Sequence, residues 1–245
     1  NDTIQLFATT RFGINAASTT TPTFLLRGGL GDDRIFFENT DQSLVFDSTE
    51  IELLTVDPGA SGGVSRISGT HDFQEFSVRN GPLDVFGQDA FGIPSSRVDI
   101  QGSSLVRLFD TGSGTLTQRF VGSGSFAYYG GMHEFASQNF LTGQFFVVDG
   151  TAVISHDEAF GDATVDNNAT IVLRDVFIDN TLTGNGNYII DGASTTLAGT
   201  NSMNGRITIR NGDLVIPDVA ALGNGQTSTP ATIIIDPTGR LTLDI

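Results

Sequence analysis

Gly184 to Ile245 reads GNGNYIIDGASTTLAGTNSMNGRITIRNGDLVIPDVAALGNGQTSTPATIIIDPTGRLTLDI, a pattern from which the fold class can be predicted. Short runs that alternate apolar and polar residues, such as Arg206 to Arg210, are separated by Asn-Gly, Gly-Asn and Pro-Thr-Gly turns. Alternation of this kind between turn residues is typical of β-strands, and the 3.6-residue period of a helix is missing. The stretch therefore predicts strands joined by turns.

The same spacing of glycines occurs upstream. Subtracting 62 from five glycine numbers leads to five other glycines, which are Gly184, Gly186, Gly205, Gly212 and Gly223 against Gly122, Gly124, Gly143, Gly150 and Gly161. Subtracting 69 from the middle copy leads to a third, with Gly81 and then Ala90-Phe91-Gly92 in place of Gly150 and Ala159-Phe160-Gly161. We therefore predict sequence repeats at roughly 69–121, 122–183 and 184–245.

The repeats predict an all-β, right-handed parallel β-helix. A repeated unit that cannot bury its own apolar face buries it against its neighbour, so the units should stack. A unit of this length, made only of short strands and turns, divides into about three coils of roughly 20 residues each. Residues 1–245 are accordingly predicted to form a single β-helical segment.

Composition fits a stacked, extracellular protein. The chain has 30 Gly and no Cys, and its 19 Phe are available to stack inside the coils. Its formal net charge is −16, Lys is absent, and the 12 Arg are scattered, which makes nucleic acid an unsuitable partner. No apolar run is long enough for a membrane helix, and no basic and apolar leader is present, so we expect a processed or excised segment.

Several motifs of the last repeat resemble the passenger-associated repeat of bacterial autotransporters, proteins of type V secretion. Gly184-Asn185-Gly186 is similar to the opening G-x-G, and Thr196 to Asn201 is similar to TL-x-G-x-N. Gly205 to Ile209 resembles the G-x-T-x-V strand, and Asn211 to Leu214 resembles the NGGTL turn. Met203 departs from the aromatic residue that is usual there, and the Lys common near the start of each unit is missing.

The resemblance implies a surface-exposed β-helical stalk that contributes to adhesion or cell aggregation and to passenger folding during secretion. It implies a location outside the cell, at the bacterial surface through a C-terminal outer-membrane barrel or released from it. The partners would be a host-cell or matrix ligand, a glycan or another passenger molecule, besides the barrel itself. Ligand binding would involve the loops at residues 57–66 or 224–230, and the alternatives are a polysaccharide-degrading enzyme or a purely structural spacer.

Gly28 to Ile35 reads GGLGDDRI and matches the calcium-binding pattern G-G-x-G-x-D-x-U. It occurs once, and without a second copy to complete the oxygen shell a turn is the better interpretation. Asp32 and Asp33 form a carboxylate pair of the kind that glycosidases use, but the polygalacturonase motifs Gly-His-Gly and Arg-Ile-Lys are absent. We therefore predict no catalytic, metal-binding or cofactor-binding residues and no enzymatic activity.

The three histidines are His71, His133 and His156. The first two stand in similar motifs, separated by the same offset as the last two repeats, so we expect them to occupy the same corner on different coils. Because the copies there are offset by 69, this pairing requires seven inserted residues between Phe135 and Phe145. All three are interpreted as turn or edge residues, although a Ser-His-Asp triad is recognised by geometry and not by sequence.

Overall fold

A computed structural model describes residues 3–7, 25–27, 33–38, 43–59, 64–223 and 232–244. Within these ranges the strands pair in parallel and there is no α-helix. The fold is a parallel β-solenoid of about nine turns, which confirms the predicted all-β parallel β-helix. The chain forms two compact units, one of Asn1–Asp110 with Thr117–Ser125 and the other of Thr111–Leu116 with Phe126–Ile245.

The strands are short in most of the chain and longer near its end. In chain order they are β1 (Thr3–Phe7), β2 (Leu25–Arg27), β3 (Arg34–Glu38), β4 (Ser43–Val45), β5 (Asp47–Thr49), β6 (Leu53–Asp57), β7 (Ser65–Ser68), β8 (Glu75–Val78), β9 (Pro82–Phe86), β10 (Arg97–Ile100), β11 (Leu105–Phe109), β12 (Ser113–Leu116), β13 (Arg119–Gly122), β14 (Ser125–Tyr129), β15 (Met132–Phe135), β16 (Phe140–Leu141), β17 (Gln144–Val147), β18 (Thr151–Ile154), β19 (Thr164–Asn167), β20 (Thr170–Leu173), β21 (Phe177–Ile178), β22 (Leu182–Thr183), β23 (Asn187–Leu197), β24 (Arg206–Ile216) and β25 (Thr232–Leu243). Among the described residues, two 3-10 helices cover Gln88–Phe91 and Val219–Leu222.

Each unit contains more than one parallel sheet. The first unit has the strand orders β1-β3-β6-β8-β10-β13 and β4-β7-β9-β11, and β2 pairs with β5. The second has β14-β17-β19-β22 and β12-β15-β18-β20-β23-β24-β25, with β21 also beside β23. Phe76 of β8 lies beside Val98 of β10, and Ile154 of β18 lies beside Leu173 of β20. Each pair is separated by one coil of the chain, and these intervals confirm the predicted coil length.

The core lies inside the coils because alternate strand residues point inward. In β11, Val106 and Leu108 are fully buried, and each lies beside a buried apolar residue of β9, Leu83 or Val85. Like side chains thus stack on like from coil to coil. A fully buried aliphatic side chain stabilises the fold by about 1.5 to 3 kcal/mol, so these columns hold adjacent coils together.

Phenylalanines also stack inside both units, as predicted from their number. In the first unit the ring centroids of Phe91 and Phe120 are 5.3 Å apart, edge to face. In the second, the ring of Phe145 lies 5.3 Å from Phe135 and 4.9 Å from Phe160. These arrangements are the favourable ones for aromatic pairs and add to the energy of burial.

The glycines that keep their spacing lie where successive coils approach most closely. Gly150 and Gly212 have φ angles of +80° and +78°. A Cβ atom at Gly150 would lie 2.3 Å from the carbonyl oxygen of Gly130, and one at Gly212 would lie 1.7 Å from that of Gly192. Only glycine fits both the angle and the space, which explains why the two positions match in successive repeats.

The three Ala-Phe-Gly or Ala-Leu-Gly segments form the same tight turn, named here the Ala-x-Gly turn. In each, the glycine N–H donates to the carbonyl three residues earlier, in the pairs Gly92 to Asp89, Gly161 to Glu158 and Gly223 to Ala220. The alanines Ala90, Ala159 and Ala221 are fully buried. In each repeat the same interval of 11 residues leads from a corner glycine to the last glycine of this turn, as Gly81 to Gly92, Gly150 to Gly161 and Gly212 to Gly223. The interval therefore corresponds to one structural unit.

The sequence repeat is not a whole number of coils. Phe145 lies in β17, whereas Ile207, its equivalent in the next repeat, lies in β24, and these strands belong to different sheets of the second unit. A repeat therefore covers about three coils, as predicted, and in addition one further face of the coil. Each of the several faces of a coil can hold a strand that is followed by a glycine corner and a turn. The repeated motif can therefore begin on any face.

Candidate functional site

One outer face of the first unit combines charged and aromatic side chains. It is formed by Arg66 of β7, Asp84 and Phe86 of β9, and Arg107 and Phe109 of β11, and is named here the arginine-aromatic face. Residues two apart on a strand point to the same side, and the intervening residues of β9 and β11 are the buried core residues described above. The face therefore follows directly from the alternation of the three strands.

A row of alternating charges crosses this face. The carboxylate of Asp84 lies 2.6 Å from Nε of Arg107 and 3.8 Å from Nε of Arg66. The register places the three residues side by side, because Asp84 pairs with Arg66 on one side and with Arg107 on the other. The Arg66 side chain is 57% exposed, so its guanidinium keeps donors available to a ligand.

The aromatic part of the face is next to the charged row. The rings of Phe86 and Phe109 stack with centroids 5.3 Å apart and planes 19° apart, and Phe86 is 43% exposed. A partly exposed aromatic pair beside an exposed guanidinium suits ligands that combine apolar patches with carboxylates. Acidic sugars and acidic peptides are ligands of this kind.

The sequence contains a pattern that relates two strands of this face. Asp84-Val85-Phe86 and Arg107-Leu108-Phe109 share the pattern of a charged residue, an apolar residue and Phe. Only the register, which pairs the two strands residue by residue, shows that the two patterns are neighbours. Arg66 belongs to the predicted ligand loop at 57–66, but residues 60–63 of that loop and the whole of 224–230 lie outside the described residues.

The candidate calcium motif is described only from Asp33 onward. Asp33 is 3% exposed, its N–H donates to a carboxylate oxygen of Glu52 at 2.7 Å, and its carbonyl accepts from the N–H groups of Glu52 and Leu53. Arg34 and Ile35 already belong to β3. In its described part the motif is thus the start of β3, hydrogen-bonded to the next coil.

Gly28 to Asp32 lie outside the described residues, so the calcium site and the pair of Asp32 with Asp33 as hydrolase carboxylates stay predictions. Within the described ranges, no group of three or more acidic or histidine side chains is placed to hold a metal ion. The described part of the chain also has no helix long and apolar enough to cross a membrane.

His71 lies in the segment between β7 and β8 and is 4% exposed. Its ring is 4.6 Å from the rings of Phe46 and Phe73, and its Nδ1 is 3.1 Å from Oγ of Ser48. Nε2 has no hydrogen-bond partner among the described residues. Burial lowers the pKa of His71 to about 4, although the charges of Asp47 and Asp72 act in the opposite direction.

The expected equivalence of His71 and His133 is wrong. The His71 N–H donates to the carbonyl of Asp89, in the first Ala-x-Gly turn. The N–H groups that make the same bond to the other two turns belong to Asn139 and Asn201. His71 is therefore the counterpart of these two asparagines, and no insertion of seven residues between Phe135 and Phe145 is needed.

His133 is neither a turn nor an edge residue. It lies in β15, between β12 and β18, with its ring 1% exposed, and its Nδ1 is 3.0 Å from the hydroxyl of Tyr128. His156 does lie in a turn, where its Nδ1 accepts from the N–H of Glu158. The three histidines thus have separate structural roles.

The chain was compared with protein-family models, curated proteins and solved structures, and none of them matches it.

Proposed function

We propose that this chain is a passenger segment of a bacterial autotransporter, a β-solenoid stalk at the cell surface that contributes to adhesion or cell aggregation. The observation that supports the proposal is that the residues of the repeat have repeated structural roles. The glycine corners at Gly150 and Gly212 and the Ala-x-Gly turns recur with the same geometry. A protein built from one repeated motif offers length and a regular outer surface, which suits a stalk.

Adhesion would arise from many weak contacts along the surface. The arginine-aromatic face supplies one set of donors and aromatic groups in the first unit. In the second unit Asp191 lies 3.7 Å from Arg174 and 4.0 Å from Arg210, which makes another row of alternating charges. Several weak sites on one chain bind together much more strongly than any one alone.

Binding is tested with beads that carry the full chain and are offered cells, matrix proteins and acidic glycans. The variant Arg66→Gln/Phe86→Ser removes the exposed parts of the arginine-aromatic face and should weaken binding about tenfold or more. Phe177→Ser is a matched control, because Phe177 is 48% exposed but lies on β21 in the other unit. Equal binding by the variant and the control would remove this face from the proposal.

Passenger folding is the second part of the proposed function. Each completed coil presents a strand edge on which the next coil can form, so folding can proceed from coil to coil. Deletion of 184–245 from the native precursor should then block surface display of the passenger. Normal display of the truncated passenger would contradict this part of the proposal.

A purely structural spacer is an alternative with which the solenoid fold is compatible. A spacer has the same stacked coils but no ligand. Beads that bind none of the cells, matrix proteins or glycans would therefore support the spacer. Sequencing the native reading frame beyond Ile245 distinguishes an autotransporter passenger, whether adhesin or spacer, from an unrelated solenoid. A passenger would be followed by an outer-membrane barrel, which would add segments of alternating hydrophobicity about ten residues long.

A further inference from the structure

Each unit has, on its outer surface, a row in which two arginines flank one aspartate, named here an Arg-Asp-Arg row. The rows are Arg66 with Asp84 and Arg107 in the first unit, and Arg174 with Asp191 and Arg210 in the second. In each row the aspartate lies on the middle one of three adjacent strands, which is β9 or β23. The two arginines of a row therefore belong to coils on either side of the aspartate.

The two rows differ from the other ion pairs of the described residues in their balance of charge. In those pairs every arginine has at least one carboxylate to itself, as Arg27 with Glu50, Arg240 with Asp213, and Arg97 with both Glu75 and Asp99. In an Arg-Asp-Arg row two arginines share one carboxylate, so the row has one positive charge in excess. The chain as a whole has a formal net charge of −16. A second carboxylate, supplied by a ligand, would balance each row.

The arginines keep hydrogen-bond donors available for such a carboxylate. Asp84 is approached by Nε of both its arginines, which leaves their Nη1 and Nη2 without a partner among the described residues. The Asp84 side chain is only 9% exposed, so it holds the arginines from below and does not face a ligand. In the second unit Arg174 and Arg210 lie 3.7 and 4.0 Å from Asp191, beyond hydrogen-bond length. Each row thus offers two guanidinium groups, each able to bind a carboxylate through two parallel hydrogen bonds.

An apolar column lies beside each row on the same face. In the first unit it consists of Phe86 and Phe109, two residues beyond members of the row. In the second unit Val172 and Ile189 lie side by side on neighbouring strands, two residues before members of the row. Residues two apart on a strand point to the same side. Both faces therefore combine donors for carboxylates with an apolar surface.

The strands that carry the two aspartates have no free backbone edge. β9 is paired with β7 and β11, and β23 is paired with β20 and β24. An extended peptide is commonly bound by adding a strand to a free sheet edge, which these strands do not offer. A uronic acid presents an apolar face of C–H groups and a carboxylate at its edge, so side chains alone can hold it. The rows therefore favour an acidic glycan over an acidic peptide.

We propose that the two Arg-Asp-Arg rows bind linear glycans that contain uronic acids. The arginines of a row bind carboxylates of the glycan, and the apolar column beside them contacts the sugar rings. Asp84 and Asp191 are positioning residues, which hold the arginines and do not touch the ligand. One row binds weakly, and a long glycan that engages several sites binds more strongly. The inference rests on the adhesive role proposed above and names the ligand class for that role.

Direct binding to the full chain tests the proposal. The probes are hyaluronan, with a carboxylate on alternate sugars, and polygalacturonate, with one on every sugar, because carboxylates are their only charged groups. The variants replace both arginines of one row, as Arg66→Gln/Arg107→Gln and Arg174→Gln/Arg210→Gln. Each variant should weaken binding of the long glycan about tenfold or more, measured by biolayer interferometry, and the combination of both should abolish it.

The matched control is Arg79→Gln/Arg206→Gln. It removes the same charge, as one exposed arginine from each unit, but neither residue belongs to a row. Its binding should stay within about twofold of the unmodified chain. Equal losses for the control and the row variants would overturn the proposal, since binding would then depend on net charge and not on the rows.

A lysine variant tests the hydrogen bonds separately from the charge. Arg66→Lys/Arg107→Lys keeps both positive charges beside Asp84, but an ammonium group cannot bind a carboxylate through two parallel hydrogen bonds. Binding should fall about threefold or more. Unchanged binding would contradict the arrangement in which each guanidinium holds a carboxylate.

The nature of the ligand is tested with two further probes. Hyaluronan whose carboxylates have been reduced to alcohols should not bind, and poly-glutamate should bind more weakly than the unmodified glycans. Equal binding of the reduced glycan would overturn the role of the carboxylate, and tighter binding of poly-glutamate would identify an acidic peptide as the ligand. Beads that bind cells or matrix proteins, from a chain that binds neither glycan, would overturn this inference and leave the adhesive role in place.

Discussion

The Ala-x-Gly turns that end at Gly92 and Gly223 are alike in backbone but differ in the side chain that approaches them. At the second, Asn201 is 1% exposed, its amide donates to the carbonyl of Ala221 at 2.6 Å, and its side-chain oxygen accepts from the N–H of Leu182 at 2.8 Å. At the first, His71 occupies the corresponding place, and one of its ring nitrogens has no partner among the described residues.

The turn thus fixes the backbone but not the side chain that accompanies it. An amide has a donor and an acceptor in one plane and satisfies two coils at once. An imidazole fills the space by stacking on phenylalanines, but it brings a titratable group into the core. The asparagine turn should therefore be the stronger one, and the histidine turn should be sensitive to acid.

The largest effect is expected from Asn201→Ala. The substitution leaves the carbonyl of Ala221 and the N–H of Leu182 buried without their partner. Each such group costs about 1 to 3 kcal/mol, so the free energy of unfolding should fall by about 4 kcal/mol. Urea unfolding followed by circular dichroism measures it.

The control for this change is Asn185→Ala, at an exposed asparagine of the same repeat. Its effect should stay within about 0.5 kcal/mol, as is usual for surface positions. If Asn201→Ala were equally mild, the amide would not be what joins the coils at this turn.

Acid should weaken the fold through His71. Its pKa is about 4 in the folded chain and near 6.5 when unfolded, so the unfolded state takes up the proton first as the pH falls. The stabilising contribution is complete above pH 6.5 and is lost progressively as the pH falls through 4. By pH 4 the loss amounts to about 3 kcal/mol.

Carboxylates also contribute to acid unfolding, so the measurement is a difference between two chains. His71→Asn carries no titratable group and matches the residue that the other two turns use. Between pH 7 and pH 4 the unmodified chain should lose about 3 kcal/mol more than this variant. Parallel stability profiles for the two chains would contradict the assignment of the acid sensitivity to His71.

Ser48→Ala is expected to have the smallest effect of the three. It removes the contact between Oγ of Ser48 and Nδ1 of His71 and leaves both ring nitrogens without a partner. The free energy of unfolding should fall by about 1 kcal/mol. Thr49→Ala, at the exposed neighbouring position on β5, is the control and should change it by less than about 0.5 kcal/mol. A result for Ser48→Ala no larger than the control would show that the ring relies on stacking alone.

The solenoid and the length of its coil could be predicted from the sequence because glycine spacing reflects a backbone requirement. Gly150 and Gly212 have to be glycine because successive coils approach so closely at these positions. This requirement holds even when the neighbouring side chains differ. The roles of the histidines could not be predicted, since similarity between two short motifs, Gly-Thr-His-Asp-Phe and Gly-Met-His-Glu-Phe, does not say which face of a coil each one lies on.

The arginine-aromatic face was missed for a related reason. Whether Asp84 meets Arg107 depends on the length of the intervening coil, and loops change that length from coil to coil. Partners in β9 and β11 are farther apart along the chain than partners in β19 and β22. Residues that are neighbours on adjacent coils can therefore be identified only when the pairing register of the strands is known. The repeat length alone does not give this register.

The mismatch between the repeat and the coil has a consequence for how such a chain can lengthen. If a repeat had to be a whole number of coils, a duplicated gene segment with any other length would leave its apolar residues out of phase. Phe145 and Ile207 begin equivalent segments on different sheets of the second unit. A duplicated segment can therefore start on whichever face of the coil the preceding segment ends. Growth by tandem duplication then tolerates a range of segment lengths, and each new copy carries its outward side chains in a new direction.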